Sequence, residues 1–222
     1  MKKIFLTGDE NIKEELRLKL KDCEYTDNLK DTNIAVECTN YPRGKKTDII
    51  KQLDAELNPS MPILTSSLCV AVWEQAAVCK NPERLIGIGL YPTISKTKLI
   101  ELAPSRLTND ETTEKVKKFF SEQKIECSVV PDVPGLVFPR IISMIINEAA
   151  QVYAEKTASR EDIDTAMKLG TNYPYGPLEW TDKLGVGLIY NVLTSLQSYF
   201  GEDRYRPHPL LKEMAGLGLK FY

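Results

Sequence analysis

The sequence predicts an α/β protein: a parallel sheet with helices on both faces, followed by an all-helical segment. Three observations point there. Short β-prone runs alternate with amphipathic helical stretches over the first 130 residues, the pattern of βαβ units. The character changes at Pro131-Asp132-Val133-Pro134-Gly135, and beyond it the apolar repeats have helical spacing. Of 222 residues, 42% are hydrophobic and 27% charged, a globular composition that excludes wholesale disorder. The implied domains are residues 1–131 and 132–222.

Each element has a local reason. Lys3-Ile4-Phe5-Leu6-Thr7 reads as a buried strand ending at Gly8, and Asn11–Lys21 as a helix with Ile12, Leu16 and Leu20 on one face. Strands are expected at Asn33–Cys38, Pro62–Thr65, Leu85–Leu90, Lys98–Leu102 and Glu126–Val130, and helices at Asp48–Leu57, around Val70–Cys79, and at Asn109–Gln123. Asn109 suits the cap of the last of these, with Asp110 and Glu111 in its first turn. In the second half, Leu136–Glu155 presents Ile141, Met144, Ile145, Ala149 and Val152 on an apolar face. Ser159 opens a helix that Gly170 is expected to end. Pro177 suits the first turn of the next helix. Val186–Phe200 is strongly apolar, and a short helix follows Pro207-His208-Pro209.

Charge and composition narrow the function. Lys plus Arg total 29 and Asp plus Glu 31, a net charge of −2, so no broad positive field invites nucleic acid. No apolar run approaches the roughly 18 residues of a membrane span. Lys2 and Lys3 are not followed by an apolar stretch, so no signal peptide is expected. Cys23, Cys38, Cys69, Cys79 and Cys127 lack C-x-x-C spacing, which favours free thiols in a reducing cytoplasm over disulfides or a zinc site. A single histidine, His208, excludes a His-rich metal centre.

The run Ala158-Ser159-Arg160-Glu161-Asp162-Ile163-Asp164-Thr165-Ala166-Met167-Lys168-Leu169-Gly170, followed by Asn172-Tyr173-Pro174-Tyr175-Gly176-Pro177-Leu178-Glu179, resembles the C-terminal domain of the 3-hydroxyacyl-CoA dehydrogenases. Tyr205–Leu211 and the terminal Phe221-Tyr222 fit as well. Upstream, Thr65–Leu68, Pro82–Gly87, Lys98–Glu101 and Pro134–Val137 follow in the same order, so the resemblance covers roughly residues 30 to 222. It implies a Rossmann-like sheet followed by the family's helical domain, NAD as cofactor, and a homodimer joined through the helices. The apolar residues spread around Leu136–Glu155 and Val186–Phe200 independently favour that dimer. A rival route is an open edge at Lys3–Thr7, which Lys2 and Lys3 discourage.

Two departures make the expected fold a trimmed version of the family's. Rossmann proteins place G-x-G-x-x-G after the first strand, so that backbone amides approach a pyrophosphate at a helix N-terminus. Here the turn is Thr7-Gly8-Asp9-Glu10-Asn11-Ile12, and only Gly8 remains. Asp9 and Glu10 would repel phosphates; the plainer reading is that Thr7 or Asp9 caps the helix and Glu10 complements its dipole. Residues 9–32 also leave less room than the roughly 30 or more residues of a full βαβ unit. The strand carrying the ribose-binding acid is therefore expected to be missing. Asp27 and Asp31 lie at the right distance, but no β-rich run precedes them. No cofactor is expected.

The resemblance further implies a histidine general base, a glutamate that orients it, and a serine and an asparagine that hold the substrate oxygen. The glutamate maps onto Glu101 without gaps from Gly87, the serine onto Ser66, the histidine onto Gly89 and the asparagine onto Pro139. Ser67, beside Ser66, is a candidate substrate contact. Glycine has no proton acceptor and proline no side-chain donor. A positioned base is worth roughly 10²–10⁴ in rate. His208, between prolines, reads as an exposed turn residue, and Tyr91 as a packing aromatic. Lys45 and Lys46 suit CoA phosphates, although a solvated charged loop is the plainer alternative. No nucleophile elbow supports a hydrolase.

The preferred reading is thus a 3-hydroxyacyl-CoA dehydrogenase homologue with lost or much reduced activity, with an acyl-CoA-facing cleft. Its alternatives are a working NAD-dependent 3-hydroxyacyl-CoA or 3-hydroxybutyryl-CoA dehydrogenase with rearranged residues, and a structural partner of an active homologue.

Overall fold

In the computed structural model, which describes residues 2–222, the chain divides into two units, one ending at Leu136 and the other running from Val137 to Tyr222. The first contains, in order, β1 (Lys3–Thr7), α1 (Glu10–Lys19), β2 (Glu24–Tyr25), β3 (Ile34–Glu37), α2 (Arg43–Glu56), β4 (Ile63–Ser66), α3 (Val72–Ala76), β5 (Leu85–Ile88), β6 (Leu99–Pro104), α4 (Asp110–Glu122) and β7 (Glu126–Val129). The strands form one sheet in the order β2-β1-β3-β4-β5-β6-β7.

Strands β3, β4 and β5 are buried along their whole length, as expected where helices cover both faces. On one face, Ile12 and Leu16 of α1 and Val116, Phe119 and Phe120 of α4 join a core with Ile4, Val36 and Leu64. On the other, Ile50 and Leu53 of α2 and Val72 and Ala76 of α3 pack with Ala35, Ile63 and Leu85. The alternation along each strand sends successive side chains to opposite cores. This is the Rossmann-like, doubly wound arrangement.

Four expectations are corrected here. The second strand is not missing: Glu24 and Tyr25 pair in parallel with Lys3 and Ile4, so β1 is open only along its second half. Two half-exposed residues carry no periodicity to read. The sheet is not wholly parallel, since β6 runs antiparallel to β5, with Gly87 opposite Ala103. Helix α2 begins at Arg43, so Lys45 and Lys46 lie in a helix and not in a loop. Asp9 occupies the N-cap position of α1 without a side-chain cap, whereas Asn109 caps α4 by accepting from Thr112 N at 2.7 Å.

The second unit contains α5 (Phe138–Ala154), α6 (Arg160–Thr171), α7 (Pro177–Leu184), α8 (Val186–Phe200) and α9 (Pro209–Leu217). Ser159 caps α6 as expected, but the helix runs through Gly170 to Thr171 and stops on Asn172, whose left-handed conformation (φ 55°) asparagine tolerates. The buried stripe of α5 is Ile142, Ile146, Ala149 and Ala150, one residue round from the expected face, leaving Ile141 exposed. Helix α8 contacts α5 and α9 and buries Leu188, Ile189, Val192, Leu193 and Leu196, so these residues are core rather than free surface. Arg140 lies over the Phe200 ring, 4.7 Å from its centroid, and donates to the Tyr205 hydroxyl.

Candidate functional site

At the end of β1 the chain turns through Gly8 with φ +105°, and a Cβ there would lie 2.7 Å from Thr39 N, so only glycine fits. The Asp9 carboxylate leaves the helix it begins. Its Oδ1 pairs with Lys45 Nζ at 3.2 Å and its Oδ2 accepts from Asn40 N at 3.4 Å. Glu10 turns the other way, to Lys13 and Arg17, whose hydrogen bonds hold its carboxyl below the usual range.

Asn40, which the sequence does not single out, links this turn to the serines. It is buried, its Nδ2 donates to Leu90 O at 3.0 Å, and its Oδ1 accepts from Ser66 Oγ at 2.6 Å. Ser66 is itself buried, so its hydroxyl is committed to Asn40. Ser67 is buried beside it, with Oγ unpartnered. Lys46 also departs from its expected role. Its side chain is 1% exposed and pairs with the buried Glu37 while donating to Thr39 O at 2.8 Å. Thr65 Oγ1 donates to the same carboxylate at 2.9 Å. A lysine taken out of water needs such a counter-charge, and here it cannot reach a solvent-borne phosphate. Lys45 stays half exposed, held by Asp9.

The antiparallel pairing of β5 and β6 sets Gly89 against Glu101, with Gly89 N donating to Glu101 O at 3.0 Å. A Cβ on Gly89 would stand 3.9 Å from Glu101 Oε2 and 3.2 Å from Leu136 Cδ1. A side chain at Gly89 would thus adjoin Glu101, and the Leu136 methyl bounds the space it would enter. Leu136 is buried and follows Gly135 in a left-handed turn (φ 75° and 50°). Pro139, in the other unit, is buried in the first turn of α5 and offers no donor. Tyr91 is buried; burial first, and then the charge of Glu101, push its phenol well above its ordinary value. His208 is half-buried and not an exposed turn residue: its Nδ1 accepts from Leu210 N at 3.2 Å and caps α9. No cluster of three or more metal-ligating side chains occurs among the described residues.

These residues fit a dinucleotide poorly. The exposed Asp27 does follow the end of β2, where the resemblance implies an acid for a ribose. At the phosphate position, however, one glycine and the Asp9 carboxylate replace the expected cradle, and β2 is a two-residue edge.

The scaffold is thus a Rossmann-like sheet followed by a helical unit, with Glu101 set across strands from Gly89. Residues 6–133 match the family described as 3-hydroxyacyl-CoA dehydrogenase, NAD binding domain, and residues 135–220 match its C-terminal domain. The chain is 32% identical over 188 residues to 3-hydroxybutyryl-CoA dehydrogenase of Clostridioides difficile, covering 85% of this chain and 67% of that one. It is 42% identical over 118 residues to 3-hydroxyadipyl-CoA dehydrogenase of Escherichia coli, covering 53% of this chain and 25% of that one. The fold matches the crystal structure of (S)-3-hydroxybutyryl-CoA dehydrogenase from Ralstonia eutropha with a TM-score of 0.84 at 24% identity, over 98% of this chain and 94% of that one. The chain belongs to the 3-hydroxyacyl-CoA dehydrogenase family.

Proposed function

We propose that this family member lacks efficient dehydrogenase activity and keeps an acyl-CoA-directed role. One observation carries the reading. The position that would hold the general base beside Glu101 is Gly89, with the Leu136 methyl bounding the space next to it. A carboxylate without the imidazole it would orient has no proton acceptor to position at a C3 hydroxyl. On the resemblance, Pro139 also lacks the asparagine's polar side chain, and the Ser66 hydroxyl donates its proton to Asn40. The Asp9 carboxylate at the Gly8 turn supports the loss of the cofactor. Support for an acyl-CoA ligand comes from the relatives, named for dehydrogenation of CoA esters. We also propose that two copies pair through the helical unit, and that five free cysteines suit a reducing cytoplasm.

Separate calorimetric titrations with NADH and with acetoacetyl-CoA test this. The reading expects acetoacetyl-CoA to bind and NADH not to bind at micromolar concentration. Micromolar NADH affinity contradicts it, and binding of neither ligand favours a purely structural partner.

A further inference from the structure

We propose that Asp9 decides what the turn after β1 can hold: its carboxylate takes the place of an anionic ligand and keeps phosphate-bearing ligands out. The proposal rests on the reading that the cofactor half has lost its dinucleotide function, and it supplies a specific cause.

Asp9 stands at the N-cap of α1, where an aspartate ordinarily accepts from the amides of the first turn. It makes no such bond. Its two oxygens instead engage Lys45 Nζ at 3.2 Å and Asn40 N at 3.4 Å. An ammonium and a backbone amide are the donors that recognise a phosphate oxygen. A third donor of the same surroundings is unspent. Thr39 is fully buried, its hydroxyl has no partner, and a Cβ on Gly8 would lie 2.7 Å from it. The turn therefore gathers a helix N-terminus, a cation, an amide and an orphaned hydroxyl around a glycine, and two of those donors are occupied by the protein's own carboxylate. An incoming phosphate has to displace a tethered competitor and also meets its like charge. Glu10 is not part of this plug, since Lys13 and Arg17 hold it elsewhere.

The test uses the full chain and inorganic pyrophosphate. Asp9→Asn and Asp9→Ser keep a residue able to cap a helix, so the fold of each is retained and is checked by its thermal melt. Calorimetry at low salt is expected to show pyrophosphate binding at least tenfold tighter in both variants than in the wild type. The gain should be lost again in Asp9→Asn/Lys45→Ala. Folded variants that bind pyrophosphate no tighter than the wild type overturn the proposal, as does a gain that survives loss of Lys45. Micromolar NADH binding by the wild type would overturn the underlying reading instead, so the two failures are told apart.

Discussion

Asp54 and Arg84 form a buried ion pair at 2.8 Å, and Arg84 is 2% exposed. Burial pushes the Asp54 carboxyl up, but Arg84, the Lys80 amide and Asn81 outweigh it and hold the group below its ordinary value. A carboxyl depressed in the folded state adds stability above its unfolded pKa and loses it as pH falls through the folded value. Asp54→Asn should therefore cost about 3–5 kcal/mol at pH 7, because Arg84 is left buried without its counter-charge. Urea unfolding should show the gap to wild type closing below about pH 4. Gly89→His is a second expected outcome. It returns an imidazole beside Glu101, yet Pro139 and the phosphate turn stay as they are, and residues that act as a unit are not repaired singly. Turnover of acetoacetyl-CoA within about tenfold of the usual 1–10³ s⁻¹ in that variant would contradict the argument. Part of this scale was legible: the sequence singles out Gly89 and Glu101, and the structure sets them against each other across strands. Lys46 and Asn40 were not: Glu37 meets Lys46 only when α2 folds back on β3, and Ser66 meets Asn40 only when β4 pairs with β3.

Among the elements, the junction of α6 and α7 shows why a glycine and an aspartate occur together. Asp164 is buried and accepts from Leu178 N at 2.8 Å and Glu179 N at 3.0 Å, doing for α7 what Gly176 at the N-cap has no side chain to do. Tyr222 Oη donates to the same carboxylate at 2.9 Å. A Cβ on Gly176 would run into Asp164. Gly176→Ala should cost about 3 kcal/mol, combining overpacking of roughly 1–3 with a disturbed cap of roughly 0.5–2; a denaturant melt reads it. Helices such as α4 and α8 were readable from their periodicity, and Asn109 and Ser159 marked starts because an N-cap is a local interaction. Strand β2 was not readable, since its order comes from pairing with Lys3 and Ile4. The reversed direction of β6 was equally hidden, because a period of two is the same in either direction.

At the scale of the whole molecule, the family and the fold class, a sheet followed by helices, were legible, while the face that a second copy would use was not. The apolar residues of α8 that suggested an interface are buried within the helical unit. Exposed there instead are Ile141, Leu169, Leu217 and Leu219, at 53%, 82%, 66% and 48%. The proposed two-fold contact through the helical unit would have to cover residues such as these. Light scattering at micromolar concentration should give the mass of a dimer, and Leu169→Glu should shift it toward monomer. A wild-type monomer would remove the dimer. No helix among the described residues is long and apolar enough to cross a membrane. The central claim concerns chemistry, and steady-state oxidation of NADH with saturating acetoacetyl-CoA tests it most directly. With the base position vacated, the account predicts turnover at least about 10²-fold below the usual 1–10³ s⁻¹. Turnover inside that range would contradict it.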